Sequence, residues 1–360
     1  MTHQDIIRLR LYNQHIAKPL DGSPAAVVSS QLAMQAQDYA GALWSVGLRL
    51  PQATQADIER AIDNRQIVRT WPMRGTLHFL AADDIRWMLA LLAPRVLAAT
   101  ASRRRNLKLD DTVFALAQRL ITAALQGGKV LTRNQLLEEL EKGGITTAGQ
   151  RGIHILAHLS QQAVICFGPH QEKLPTFVLL DEWIPTSKKL TRDQALAELA
   201  QRFFTGHGPA TIQDLSRWAG LTLRDARAGL EAASSQLASE TVDGQVYWMA
   251  PAPAAPHDPS AIYLLPGFDE YILGYKDRSL MLELEHSQKI VPGNNGVFMP
   301  TIVSDGQVIG TWKRLVKKDT VHITLLPFVK ISPAQQAAAE VSASRYAAFT
   351  GKTPVVTLSQ

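Results

Sequence analysis

The chain repeats one order of local signals three times, and that order constrains the fold more than any other feature: capped helices, a tight turn, another helix, then two short strands around a hairpin tip. The last repeat is the plainest. From Thr191 to Thr205, Ala195, Leu196, Leu199, Ala200 and Phe203 recur at helical spacing, and His207-Gly208-Pro209 then breaks the helix. Thr211 is placed to cap a short helix through Trp218, Ala219-Gly220 turns, and Thr222 caps a helix running through Leu230. Val242-Asp243-Gly244-Gln245-Val246-Tyr247 carries Asp-Gly at the tip of a hairpin. Helix, turn, helix and hairpin is the order of a winged helix, a unit that offers a helix and a β-wing to duplex DNA.

The middle repeat has helices predicted over Asp111 to Leu125, Thr132 to Leu140 and Thr147 to Gln161. Val164 to Phe167 and Phe177 to Leu180 are β-rich segments either side of a polar loop. A long helix from Asp83 to about Arg105 precedes it. The first repeat has helices predicted from Asp5 to Ile16, from Pro24 to about Met34, from Asp38 through Leu48, and near Ala56 to Ile62. Its hairpin is Ile67 to Trp71 with Thr76 to Leu80, alternating apolar and polar around Pro72-Met73-Arg74-Gly75. Beyond a proline-rich stretch, strands are expected at Ile262 to Leu265, Gly296 to Val303, Gln307 to Trp312 and Val321 to Phe328, then a helix from Pro333 to Thr350. Gly293-Asn294-Asn295-Gly296 reads as a turn between strands. The expected fold class is therefore α+β: three tandem winged-helix units followed by a β-rich C-terminal domain. Their expected bounds are 1–82, 83–186 and 187–250, a linker at 251–259, and 260–360.

Composition removes several alternatives. A length of 360 residues calls for two to four modules, and 46% hydrophobic residues can fill a core in each. No apolar run is long enough for a membrane helix, and Met1 to Asp5 lacks the pattern of a secretory signal. Cys166 is the single cysteine, which excludes an intramolecular disulfide and any multi-cysteine zinc site. His154 and His158 stand four apart on one helix, but no acidic or cysteine ligand nearby completes a metal site, so none is expected. Nucleotide-binding glycine loops and the nucleophile-elbow motif are absent, and no cofactor is expected. The net charge of +5 favours a polyanionic partner. The expectation is a cytoplasmic, nucleoid-associated monomer that binds double-stranded DNA and no membrane.

A resemblance runs through these elements. Gln35-Ala36-Gln37-Asp38, the hairpin segment Arg69 to His78, Leu265-Pro266-Gly267-Phe268-Asp269-Glu270-Tyr271 and Gly274 to Ser279 resemble the AlkZ-type winged-helix alkylpurine DNA glycosylase superfamily. Val291 to Gly296 and Gly310-Thr311-Trp312-Lys313-Arg314 extend the likeness, from about Arg8 to Arg314 and in the same order. The resemblance implies a concave DNA-binding face and excision of N-alkylated purines, with unhooking of interstrand crosslinks in some members. It implies that the Gln-x-Gln signature, here Gln35 and Gln37, is catalytic, in a group whose substrates vary; some relatives carry Asp at the second position. It also brings Lys313 and Arg314 among the DNA-binding residues and makes Asp269 the choice for orienting a group of the site.

The residues can be read without it. Side chains two apart on a helix diverge by roughly 200°, but in an extended segment they share a face. The predicted end of one helix near Met34 and the start of the next at Asp38 leave Gln35 to Gln37 in a turn where the amides can converge. An N7-alkylated purine is already cationic and leaves unprotonated, so preorganised amide dipoles suffice to hold water and stabilise the sugar. The alternative is that both amides merely satisfy turn backbone. Asp38 is the stronger base, although its plainer role is a helix N-cap. Arg74 and His78, at or beside the wing tip, face phosphate if Leu77 and Phe79 face the core; otherwise they are a turn arginine and a surface histidine. Arg103, Arg104 and Arg105 form a basic run at a helix end, either complementing the helix dipole or touching phosphate. Asp269 and Glu270, taken as strand neighbours, point to opposite faces and cannot act as a facing pair. Trp44, Trp71, Trp87 and Trp218 read as core. Together these readings describe a monofunctional DNA glycosylase; the alternative is a non-catalytic winged-helix regulator.

Overall fold

The computed structural model describes residues 1–251 and 258–359, so most of the expected proline-rich linker, 252–257, lies outside the described residues. Helix starts follow the capping signals. Thr2, Thr54, Thr132, Thr191, Thr211 and Ser332 each accept the backbone N–H three residues on, while the Asp or Gln there reaches back to the cap. Each box satisfies two donors that a helix start leaves orphaned.

The N-terminal part contains α1 (His3–Asn13), α2 (Pro24–Ser30), β1 (Ala33–Gln35), α3 (Tyr39–Leu48), α4 (Gln55–Asp63), β2 (Ile67–Met73) and β3 (Thr76–Ala81). Here α2 stops short of Met34. Leu32 turns left-handed at φ 63°, and Ala33 to Gln35 become a strand on the open edge of the hairpin. The resulting antiparallel sheet has the order β1-β3-β2.

Next come α5 (Ile85–Ala99), α6 (Ala101–Asn106), α7 (Asp111–Leu125), β4 (Leu131–Thr132), α8 (Arg133–Lys142), α9 (Arg151–Gln161), β5 (Ile165–Phe167), β6 (Thr176–Leu179) and α10 (Leu180–Trp183). The long helix expected from Asp83 is instead a 3-10 turn followed by two helices that break at Thr100. The helix expected from Thr147 begins only at Arg151, because Gly149 and Gln150 take φ of 62° and 74°. The third repeat is α11 (Arg192–His207), α12 (Ile212–Ala219), α13 (Leu223–Ala233), β7 (Ala238–Val242) and β8 (Gln245–Met249), close to its sequence signals.

The C-terminal part holds β9 (Ile262–Leu265), α14 (Glu270–Leu273), α15 (Ser287–Ile290), β10 (Thr301–Ser304), β11 (Gln307–Val316), β12 (Thr320–Pro327), α16 (Pro333–Phe349) and β13 (Thr353–Leu358). One sheet has the order β13-β12-β11-β10-β9, with β13 parallel to β12. The strand expected from Gly296 starts only at Thr301, and Gly293 sits in a 3-10 turn rather than a strand–strand turn.

Two cores organise the molecule. The larger joins α1 to α5, α11 to α13 and the C-terminal sheet. The smaller is built by residues between Leu109 and Leu179, and the wing of the first hairpin enters it through Trp71 and Leu77. Trp71 lies 5.1 Å from Phe167 by ring centroids. Trp44 donates to Leu264 O at 2.8 Å and Trp312 to Leu265 O at 2.7 Å, pinning α3 and β11 to β9. Trp44, Trp71, Trp87 and Trp218 are all buried. No helix among the described residues is long and apolar enough to cross a membrane.

Candidate active site

The wing leaves an open strand edge, and the Gln35 segment fills it. Gln35 pairs with His78 across β1 and β3, and Ala36 N–H donates to Leu77 O at 2.7 Å. A side chain then continues the ladder: Gln37 Oε1 accepts Leu77 N–H at 3.2 Å. Arg69 closes from β2, its Nε and Nη2 donating to Ala36 O at 3.1 and 2.8 Å. Gln35 to Gln37 is thus an edge strand and its continuation rather than a turn between helices. The two amides differ. Gln37 is exposed, its oxygen is taken by the hairpin backbone, and its NH₂ has no partner among the described residues. The Gln35 side-chain amide makes no hydrogen bond to any described residue, although the residue is 9% exposed.

On the outer edge of the strand, away from β3, lies a carboxylate that sequence reasoning set aside. Glu270 Oε1 accepts Gln35 N–H at 3.1 Å, and Oε2 accepts Trp218 Nε1–H at 2.8 Å. His207 Nε2 stands 3.6 Å from Oε2, just beyond hydrogen-bond length. Glu270 is 1% exposed and His207 is fully buried. Burial pushes the Glu270 carboxyl up, but His207, Arg74 and the Trp218 N–H outweigh it and hold it below the usual range. Adjacent residues at this point diverge because Asp269 caps α14, accepting Tyr271 N–H at 3.0 Å, not because they lie on a strand. Asp269, expected to orient a group of the site, is spent elsewhere: both oxygens accept from Arg49 at 2.9 Å and Ser45 donates to it at 2.6 Å. The position next to Gln35 belongs to Glu270.

The wing tip is a two-residue turn, Arg74 and Gly75, at φ of 56° and 75°. Both being positive matches the type I′ hairpin. Leu77 and Phe79 are buried, yet His78 is buried too, because Leu77 enters the smaller core while the opposite face of β3 is covered as well. The expectation that His78 faces solvent or DNA is therefore corrected. Burial, and Arg74 beside it, push the imidazole down to about 3. It stays neutral: Nε2 accepts from Arg74 Nη2 at 3.1 Å, which leaves Nδ1–H to donate to Thr76 O at 3.0 Å. Arg74 is half-buried rather than an exposed tip.

Asp38 occupies the N-cap position of α3 but makes no capping bond; its Oδ2 accepts from Arg314 Nη2 at 3.0 Å. Lys313 is exposed beside it on β11. Arg103 donates to Gln150 Oε1 at 2.6 Å and Arg104 to Thr100 Oγ1 at 2.9 Å, Arg105 is exposed, and none of these bonds reaches β1 or the wing. His158 does not point toward a shared ligand with His154; it stacks on Phe114 at 3.6 Å. Among the described residues, acid and histidine ligand atoms gather at Glu283, Glu285 and His286, a group with no member on the Gln35 strand. A cleft of about 600 Å³ lined by Tyr12, Ser30 and Arg202 also excludes Gln35 and Gln37.

Two arginines join Arg74. Arg217 is exposed on α12 and Arg278 half-buried after α14. Burial first, then Arg217, lowers Arg278 to about 10, and Arg74 adds to the repulsion. Gly220, at the end of α12, comes within 3.9 Å of Arg74 Cγ when given a Cβ. None of the three arginines forms an ion pair among the described residues. Arg278 lies in the Lys276-Asp277-Arg278 motif, so its signal was present in the sequence; Arg217 gave none.

The chain matches known proteins over most of its length. The family described as DNA glycosylase AlkZ-like matches residues 28–349. The interstrand DNA cross-link repair glycosylase of Streptomyces sahachiroi is 25% identical over 98% of each chain. The solved structure of Streptomyces sahachiroi DNA glycosylase AlkZ superposes with a TM-score of 0.82, at 25% identity, over the whole of both chains.

Proposed function

The chain belongs to the AlkZ-like DNA glycosylase family, and from that premise we propose that it hydrolyses the N-glycosidic bond of N7- or N3-alkylated purines in duplex DNA, as a monofunctional enzyme. The relative named for interstrand cross-link repair supports extending this to crosslink unhooking. In this reading residues 1–82, 83–186 and 187–250 are winged-helix units, and with the domain from 260 on they hold the duplex.

The observation that carries the proposal is the unpartnered Gln35 amide on a strand fixed from both edges, by β3, where His78 stands opposite, and by Glu270 on the outer edge. The C1′–N bond breaks with its electron pair going to the cationic base, which leaves neutral. The sugar carries the positive charge until a water oxygen bonds C1′ and releases a proton. Gln35 holds that water and directs its amide dipole at the sugar. Gln37, whose oxygen is already anchored to Leu77, turns its NH₂ to an acceptor oxygen of the substrate rather than to the sugar cation, which a donor N–H would repel. Such fixed dipoles need no reorganisation when charge develops. Arg74, Arg217 and Arg278 meet backbone phosphates, with Lys313 and Arg314 further along β11.

The test is release of free base from a panel of alkylated duplexes under single turnover. Release with intact strands supports the reading; duplex binding without release from any substrate supports the regulator instead. Borohydride is expected to trap no DNA adduct, since no amine nucleophile takes part.

A further inference from the structure

We propose that Glu270 is the buried counter-charge of the reaction, fixing Gln35 through its backbone N–H and holding, on the outer edge of that strand, the negative charge against which the sugar cation develops. The proposal rests on the glycosylase reading above and assigns to this residue a positioning and electrostatic role.

Two neutral donors, Gln35 N–H at 3.1 Å and Trp218 Nε1–H at 2.8 Å, meet the two carboxylate oxygens. An amide could accept from one of them, and burying a carboxylate costs more than burying an amide. The charge is therefore the feature that needs a reason. Neutral hydrogen bonds leave it intact, and the His207 imidazole, 3.6 Å from Oε2, is with Arg74 the nearest group that opposes it. The other carboxylate of the segment, Asp38, is already paired with Arg314 at 3.0 Å, and Asp269 is consumed by Arg49. In the free protein Arg74 lies within electrostatic reach of Glu270. When a phosphate takes up Arg74, Glu270 remains as the carboxylate bonded to the strand that bears Gln35. Glu270 forms no bond during the step. Its field acts through a dry interior, where a fixed charge is worth far more than in water.

The experiment compares two uncleavable duplexes, one with a protonated pyrrolidine in place of the sugar and one with neutral tetrahydrofuran. Wild-type protein is expected to bind the cationic analogue more tightly. Glu270→Gln is expected to cut that preference about ten- to thirtyfold, as for unit charges roughly 8–10 Å apart at an effective dielectric of about 20. Its affinity for tetrahydrofuran and undamaged duplex should not change. Trp218→Phe removes a hydrogen bond but keeps the charge, so it should keep the preference. If Glu270→Gln does not fold, Glu270→Gln with His207→Leu replaces the buried pair by uncharged groups of similar volume and carries the same expectation. A wild type without the preference, a Glu270→Gln that retains it, or a Trp218→Phe that loses it overturns the assignment. If wild-type protein releases alkylated base while Glu270→Gln keeps the preference, only Glu270 is misassigned; if wild type releases none, the glycosylase reading itself goes.

Discussion

His78 Nε2 accepts a hydrogen bond from Arg74 Nη2 at 3.1 Å, across a wing tip in which Arg74 holds a φ of 56°. A side chain other than Gly, Asn or Asp is strained in that region, and the bond to a neutral, buried imidazole offsets the strain. Arg74→Gly should therefore stay within about 1 kcal/mol of wild-type stability, since relief of strain and loss of one hydrogen bond are of similar size. Duplex affinity should fall, and the slope of log affinity against log salt should shrink by about 0.9, the share of one phosphate. An unchanged salt slope in Arg74→Gly means that this arginine meets no phosphate.

The unequal surroundings of the two glutamines predict unequal mutants. Gln35→Ala should slow single-turnover base release about a hundredfold or more, as for loss of one preorganised dipole, with melting unchanged. Gln37→Ala should also slow release, and in addition lower stability by about 1 kcal/mol, because Leu77 N–H loses its acceptor. Equal melting temperatures for the two variants would contradict the anchoring role of Gln37.

Asp38 is the competing base. Its pairing with Arg314, at 41% and 18% side-chain exposure, contributes less than about 1 kcal/mol. Asp38→Asn should keep base release within a few fold of wild type. A dead Asp38→Asn with active glutamine variants transfers the chemistry to Asp38.

Two buried histidines predict acid lability. Burial and Arg74 push His78 down to about 3, with Glu270 opposing; burial and Arg104 push His158 down to about 4, with Asp111 opposing. Unfolded, both take a proton below about 6.5; folded, they resist until these lower values. Their contribution to stability is thus complete above about pH 6.5 and is lost as pH falls toward 4 and 3, by up to about 1.4 kcal/mol per pH unit for each. Urea unfolding at pH 7, 6 and 5 measures it. His158→Gln should flatten the decline by about one proton; an unaltered slope excludes His158 as a source.

What the sequence made legible was local. Capping boxes such as Thr211 with Asp214, and hairpin tips such as Asp243-Gly244, state their conformation within four residues. The strand Ala33–Gln35 was missed because three residues carry no period, and its existence depends on β3, more than forty residues on. Parallel pairing of β13 with β12 is likewise set by a partner across α16. Glu270 was misjudged for a similar reason: the short helix α14 behind the Asp269 cap turns it toward a strand 235 residues earlier. His78 read as exposed because alternation names two faces, and here both are covered. The Gln35–Ala36–Gln37 segment read as a turn between helices, and nothing in it told that one amide would be bound to the wing and the other left open.

The wing of the first hairpin ends in two cores, with Trp71 and Leu77 in the smaller and Met73 and Phe79 in the larger. A free-standing hairpin would surrender about 1–2 kcal/mol of backbone entropy per residue each time it settled on DNA. This one has already surrendered it in folding. If this hairpin meets DNA as proposed, it acts as a template rather than a finger, and the duplex supplies the deformation. Bending or unstacking costs least where a helix is already weakened by damage. In the proposed reading, a rigid wing turns the stiffness of intact DNA into a first filter, applied before any base reaches Gln35.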